Sequence, residues 1–446
     1  MTINRNGFQS ADLDIPVVLP TLNLDFANSQ SLDERITFTR GSIGTFVNKN
    51  GLIETAAANT PRFDYDQITG ECKGLLIEES RSNSWTYSGQ NVTTGWNTGG
   101  GTLSFDNTIT APDGTTNTIK FTESSSYTSG KNINQSISVT SGTSYTFSIF
   151  AKQPDNSPLR YFSILFWNTG FTTYQIVTFD PKNGTVLYNP SGNTTFIQKY
   201  PNGWWRFGVT AAATASVSCP FNIRFTNSLS SSANPPYGYG GPFGNYTGDG
   251  SSYLYFFGPQ VENGAFMTSH ILTTASTVTR SADVADMIGT NFSSWYNQTE
   301  STILCNFNAY NLMSSAYSGV ISINGPEPSG LNRIQLLLNG PGGGGTSQPI
   351  YHNLYQNGPN FANYFGITYR TGPTKNIMRY KDKDYFVASK DGNVRIGTPP
   401  NTTIPLTKTM NSLKIGRVDN YLNGAISKFA YYPKALNNAE IQYLTQ

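Results

Sequence analysis

Short alternations of apolar and polar residues recur along this chain, and their period of two belongs to strands. In SYTFSIFAK, residues 144–152, Tyr145, Phe147, Ile149 and Ala151 share one side and mostly polar partners take the other, as in a half-buried strand. YFSILFW, TTYQIVTF, GWWRFGVT, FNIRF and YLYFF repeat the theme through residues 85–286, at spacings that suit a β-sandwich or jelly roll. Within that stretch FDPKNGTV, residues 179–186, reads as strand, Asp-Pro turn, Asn-Gly turn, strand. Residues 234–250, NPPYGYGGPFGNYTGDG, break the rhythm and are expected to form a long surface loop with aromatic tips.

A second strand-rich region begins at STILCNFNAY, where Ile303, Cys305, Phe307 and Ala309 share a face. RIQLLLNG, NYFGITYR, KDYFVAS, SLKIGR and GAISKFAYY follow, interrupted by the glycine tract PGGGGTS at residues 341–347. That tract lacks the Lys-Ser/Thr of a phosphate loop and reads as a loop tip. The chain closes differently: in LNNAEIQYL, Asn437 can cap a short helix with Glu440 as its capping-box partner, and Leu436 and Ile441 stand where a hydrophobic staple would. Near the other end, DFAN, RITFTR, a KNG turn at residues 49–51 and GLIE suggest a small β module.

The pattern therefore predicts an all-β, multi-domain chain of tandem β-sandwich or jelly-roll domains with a short C-terminal helix. The expected divisions are an arm at 1–20, a β module for virion attachment or assembly at 21–84, a jelly roll at 85–286, a linker at 287–298 and a sandwich at 299–446. Composition supports this, because only 13% of the 446 residues are charged, against roughly 25% in ordinary domains. Gly, Asn, Ser and Thr supply turns, while aromatic and β-branched residues pack on pleated sheets. No heptads occur, so an oligomer would not rest on a coiled coil.

A net charge of +2 without any Lys/Arg block offers no footprint for nucleic acid. No apolar run reaches the length of about 20 residues that spans a bilayer, and the first residues lack the segments of a signal peptide. The expectation is a protein made in a cytoplasm, without membrane insertion. Cys72, Cys219 and Cys305 are too far apart for zinc spacing and are expected to be buried reduced thiols. With only His270 and His352, base and metal chemistry has few candidates. No cofactor is expected. Calcium at an oxygen-rich loop would fall on Asp180 with Asn183, on Asp249, or on Asp391 with Asn393, each of which is also an ordinary Asx turn. Ser269 and His270 lie outside any G-x-S-x-G turn, which argues against a nucleophilic triad.

The sharpest chemical question lies in GLLIEESRSN, residues 74–83. Its Glu78, Glu79 and Arg81, with Arg40 in FTRGS and Arg62, Asp64 and Asp66 in TPRFDYD, suit a guanidinium–carboxylate network that fixes geometry. The rival reading makes Glu78 or Glu79 one of a glycosidase pair about 5–10 Å apart across a cleft. Arginines favour the first, because they hold acids ionised whereas a general acid needs a raised pKa.

The stretch from Phe38 to Asn83 resembles a segment that recurs in bacteriophage virion proteins, notably tail and fibre components. Phe38, Thr39, Arg40, Gly51, Pro61, Arg62, Asp64, Gly74, Leu75, Glu78, Arg81 and Asn83 carry the match. Residues 258–285, GPQVENGAFMTSHILTTASTVTRSADVA, resemble the segment that closes the adjacent carbohydrate-binding-like jelly roll, with His270 in place of the usual Tyr and Leu272 in place of Pro. YLNGAISKFAYYPKALNNAEIQYLT is similar to the end of laminin-G or concanavalin-like lectin domains attached to phage proteins.

These resemblances imply a non-enzymatic virion protein, a tail, fibre or appendage component. Its expected partners are other virion proteins, copies of itself and a host surface polysaccharide. The alternatives are a capsid-decorating or connector protein without glycan binding, and a polysaccharide depolymerase. Aromatic platforms for a sugar would be Tyr237, Tyr239, Phe243 and Tyr246 in the long loop, and Trp204 and Trp205, which in a strand point to opposite sides.

Overall fold

The computed structural model describes residues 18–89, 95–126, 130–227, 246–310, 317–326, 332–338, 348–355, 367–369, 372–381, 384–389 and 409–445. The chain is all-β, with short helices at Phe26–Ser29, Thr290–Ser293 and Asn438–Thr445 among the described residues. It forms two compact units. One comprises Thr39–Cys72 and Glu79–Asp283; the other comprises Met1–Phe38, Lys73–Glu78 and Val284–Gln446. The stretch 21–84 thus divides between them.

The unit built from Thr39–Cys72 and Glu79–Asp283 holds two six-stranded antiparallel sheets. The first runs Thr194–Lys199, Trp205–Ala212, Ser144–Lys152, Tyr253–Asn263, Thr118–Glu123, Gly101–Asp106. The second runs Thr185–Tyr188, Gln175–Asp180, Tyr161–Phe166, Val217–Thr226, Lys131–Val139, Asn97–Gly99. Their inner faces share one aromatic core, with Phe162 and Phe256 rings 5.6 Å apart and Phe225 and Phe256 5.4 Å apart, both edge to face. The Asn-Gly turn forms as expected: Gly184 adopts φ +65° and its N–H donates to Asp180 O at 2.9 Å.

Ser144–Lys152 departs from the alternation its sequence suggests, because both of its faces are buried. Phe147, Ile149 and Ala151 face the main core, while Phe150 joins a second cluster with Val47, Ile53, Tyr200, Trp204, Tyr255 and Phe257. The polar positions on this outer side are satisfied locally. Thr146 Oγ1 donates to Gly264 O at 2.8 Å, and Ser148 Oγ accepts from Arg206 Nη2 at 3.1 Å. Covering the outer face are the hairpin Gly44–Val47/Ile53–Ala56 and the chain after Asn263.

In the other unit, Gly424–Tyr432 is central to one sheet. It pairs with Glu300–Ala309 on one edge, and its other edge is shared by Leu22–Leu24 and Cys72–Ile77. Gly74, at φ +103°, permits that approach, since a Cβ there would collide with the Ile426 carbonyl. A second sheet carries Val284–Ile288, Ser412–Ile415, Ser318–Asn324, Arg333–Leu338, Gln348–Tyr355 and Ile367–Tyr369 in that order. The C-terminal helix has the anticipated capping box: Asn437 N–H donates to Glu440 Oε2 at 2.7 Å and Glu440 N–H to Asn437 Oδ1 at 2.9 Å. Leu436 and Ile441 are buried in one cluster with Leu304 and Ile377. The segment expected to be a linker holds Phe292 and Trp295, both buried, with rings 4.8 Å apart.

Candidate functional site

Two arginines of the early segment meet at Asp283, a residue far outside it. Arg40 Nη1 donates to Asp283 Oδ1 at 3.2 Å and Arg62 Nη2 donates to Oδ2 at 2.5 Å, and all three side chains are 0% exposed. Other contacts of each guanidinium are to backbone carbonyls and, for Arg62, also to a hydroxyl. Arg40 donates to Ser42 O at 3.0 Å, Thr60 O at 2.9 Å and Ala57 O at 2.7 Å. Arg62 donates to Thr45 O at 2.7 Å and Ser269 Oγ at 2.9 Å. Arg280, also buried, donates to Ser269 Oγ at 2.8 Å and Glu79 O at 2.6 Å. Burial, and then the neighbouring Arg62 charge, hold the Arg40 pKa below its ordinary value, against the pull of Asp283. Taking these ions out of water is costly, and the fixed carbonyls and bidentate carboxylate offset that cost by geometry. Gly44 makes room, since a Cβ there would stand 2.9 Å from Arg40 Nε.

The other predicted members of the network are placed around this clamp. Asp64 accepts from Val47 N–H at 2.8 Å and so ties its strand to the hairpin. Glu79 accepts from Arg81 Nε at 2.5 Å, and the Arg81 guanidinium also lies 4.6 Å from the Phe266 ring centre. Glu78 is buried, 3% exposed. Asp66 accepts from Ile68 and Thr69 N–H at 2.9 Å each, an Asx turn.

Of the aromatic platforms, Tyr237, Tyr239 and Phe243 lie outside the described residues. Trp204 is corrected by its burial: at 0% exposed it fills the second cluster, its Nε1 donating to Thr110 O at 2.9 Å, and it has no face for a ligand. Trp205 is half-buried against the main core, with Lys199 Nζ 5.6 Å from its ring centre. The two indoles do serve opposite sides of the sheet. Tyr246 is a structural tyrosine, since its hydroxyl donates to the buried Glu123 carboxylate and Lys131 Nζ sits 3.8 Å over its ring. Burial first, then Glu123, push its phenol well above the ordinary range.

Glu123 also accepts from Arg160 Nη2 at 2.7 Å, and Arg160 reaches Asp249 at 3.0 Å. Although burial acts to raise it, hydrogen bonds from Ser252 and Ser251 bring the Asp249 carboxyl well below its usual range. Asp180 accepts from Lys182 N–H at 2.8 Å and Asn183 Nδ2 at 2.8 Å, an Asx turn closed on itself. Asp391 and Asn393 lie outside the described residues. Among the thiols, Cys219 and Cys305 are buried whereas Cys72 is only half-buried, because its strand position faces partly outward.

Arg280 and Asp283 were not legible as members of this site. Their signal was present in TVTRSADVA, whose Arg-Ser-Ala-Asp carries the missing carboxylate, but nothing local says that it meets residues more than 200 positions earlier. His270 stacks edge-on to Phe150 with centres 6.0 Å apart, and neither ring nitrogen finds a hydrogen-bond partner among the described residues. Burial, and then Arg206, lower its pKa to about 3.

No family model matches the chain, and no curated protein matches it. Among solved structures it is similar to the CBM40 of Ruminococcus gnavus IT-sialidase bound to alpha2,3 sialyllactose, at 12% identity and TM-score 0.30, over 35% of this chain and 86% of that one. Trypanosoma rangeli sialidase aligns at 11% identity and TM-score 0.27, over 74% of this chain and 60% of that one. Mouse laminin alpha1 domains LG4-5 align at 9% identity and TM-score 0.22, over 70% of this chain and 92% of that one. Likenesses this slight carry no argument about activity or ligand.

Proposed function

We propose that this chain is a non-enzymatic structural component of a bacteriophage virion, a tail, fibre or appendage protein that assembles with copies of itself and offers its β-sandwich surfaces to host glycans. The observation that supports this reading is the Asp283 clamp. Residues that carry the phage resemblance, Arg40 and Arg62 from one segment and Arg280 and Asp283 from another, are spent on one buried node, where each carboxylate oxygen is taken by a guanidinium. Chemistry of that kind locks a scaffold. A general acid would need a carboxyl kept protonated by an apolar or acidic setting, the reverse of this one.

The test is to raise antibodies against the purified chain, label intact phage particles from an induced lysate, and image them. Label at a repeated position on the tail or its appendages supports the proposal; label absent from particles overturns it. In parallel, incubation with purified host polysaccharide and assay of reducing ends separates the depolymerase alternative, which requires their release.

A further inference from the structure

The unit that contains Val284–Gln446 carries a groove of mixed polar and apolar lining that none of the sequence candidates touches. Its volume is about 260 Å³, and it is lined by Tyr317, Arg333, Gln335, Leu337, Val418, Asp419 and Asn420. That is below the roughly 300–1,000 Å³ of drug-sized sites and suits a single small polar ring. The strand Arg333–Leu338 makes the floor: with a period of two, Arg333, Gln335 and Leu337 point one way, while Ile334, Leu336 and Leu338 take the other. The wall is the turn at residues 417–421, closed by the Arg417–Tyr421 bridge and by Val418 N–H donating to Asn420 O at 3.1 Å. Gly319 lets this turn lie against its neighbouring strand, because a Cβ there would run into the Val418 backbone.

We propose that this groove is a binding site for a neutral saccharide that presents a vicinal diol. The inference rests on the glycan-binding part of the function proposed above and locates it. Tyr317 is a lining residue that is 48% exposed, and Asn420 Nδ2 donates to its backbone carbonyl at 3.0 Å, which ties this position to the turn; its ring offers an apolar face for the C–H side of a sugar. In the same lining, Arg333 Nη1 and Asp419 Oδ1 stand 3.3 Å apart, the aspartate 81% exposed. An exposed pair of this kind contributes little to stability, so a ligand can share it at small cost. It sets a donor-only guanidinium beside an acceptor-only carboxylate, and two adjacent hydroxyls can accept from the first and donate to the second. The charges of Arg333 and Asp419 offset each other, so the groove offers no net positive charge to select an acidic sugar, and hydroxyl recognition is what the pair supplies.

The experiment uses the full chain on an array of neutral and acidic oligosaccharides, with saturation-transfer NMR on the neutral hits. Tyr317→Ala and Asp419→Asn are compared with wild type, and thermal melts confirm that both variants fold. The expected result is binding to one or more neutral saccharides, weakened at least tenfold by either change and insensitive to salt. Three outcomes overturn the proposal: no neutral saccharide bound, acidic saccharides only, or neutral binding that both variants retain. This last outcome leaves the virion role and its glycan contact intact and moves the contact elsewhere. Conversely, groove-dependent binding in a chain that never labels particles sinks the virion role and leaves the site standing.

Discussion

Arg40 and Asp283 are 243 residues apart in sequence and 3.2 Å apart in space, both with side chains fully shielded from water. Arg62 holds the aspartate's other oxygen, so one carboxylate fixes two separate chain segments against a third. A buried pair of this kind contributes little net stability compared with an apolar replacement of all partners, but removing one member leaves a stranded ion. Asp283→Asn is therefore expected to cost about 3–5 kcal/mol. Urea unfolding followed by tryptophan fluorescence measures it, and a loss under about 1 kcal/mol would show that the clamp is not what secures these segments.

His270 predicts an acid-sensitive fold. Its folded pKa is lowered to about 3 from an ordinary 6.5 because the ring is buried, so the unfolded chain binds a proton that the folded chain refuses. The sign follows: its contribution is intact above about pH 6.5 and is lost as pH falls toward 3. At pH 5 the loss is about 2 kcal/mol. His270→Phe removes the titrating group while keeping a ring against Phe150, and should flatten this limb of the stability–pH curve. Parallel curves for the two proteins would refute the assignment.

Trp204 and Trp205 are adjacent but should respond differently to truncation. Trp204→Ala leaves a large cavity in the cluster with Phe150 and Tyr255 and strands Thr110 O, an expected cost of about 3–5 kcal/mol. Trp205→Ala removes a half-buried ring and should cost less than half of that. Neither change is expected to alter saccharide binding in folded protein. Differential scanning calorimetry and the glycan array read the two outcomes, and equal shifts in melting temperature would contradict the placement.

Tyr246→Phe deletes the hydroxyl that donates to Glu123 and keeps the ring under Lys131. The expected effect is a destabilisation of about 1–3 kcal/mol, because a buried carboxylate loses a donor. A variant as stable as wild type that has lost sugar binding would restore Tyr246 as a ligand residue.

How much of this was legible along the chain depends on range. The strand repeats, the Asn-Gly hairpin at Gly184 and the capping box between Asn437 and Glu440 are local, settled by residues a few positions apart through backbone sterics and short hydrogen bonds. The periodicity of Ser144–Lys152 was local too, yet it misjudged the outer face, since Thr146 and Ser148 look solvated until Gly264 and Arg206 arrive to satisfy them.

By itself the sequence determined that the chain is all-β, where most turns fall, how the last helix is capped, and that Arg40 and Arg62 would seek carboxylates. Tertiary structure alone decided which carboxylate they found, that Trp204 is core and Tyr246 a strut, and that Tyr317, Arg333 and Asp419 share one groove. The physical reason is that a strand's pattern tells which residues leave water but not which distant segment receives them. Pairing partners are chosen by sheet order and by how the connecting chain returns, and neither is encoded within a few residues of the groups that meet.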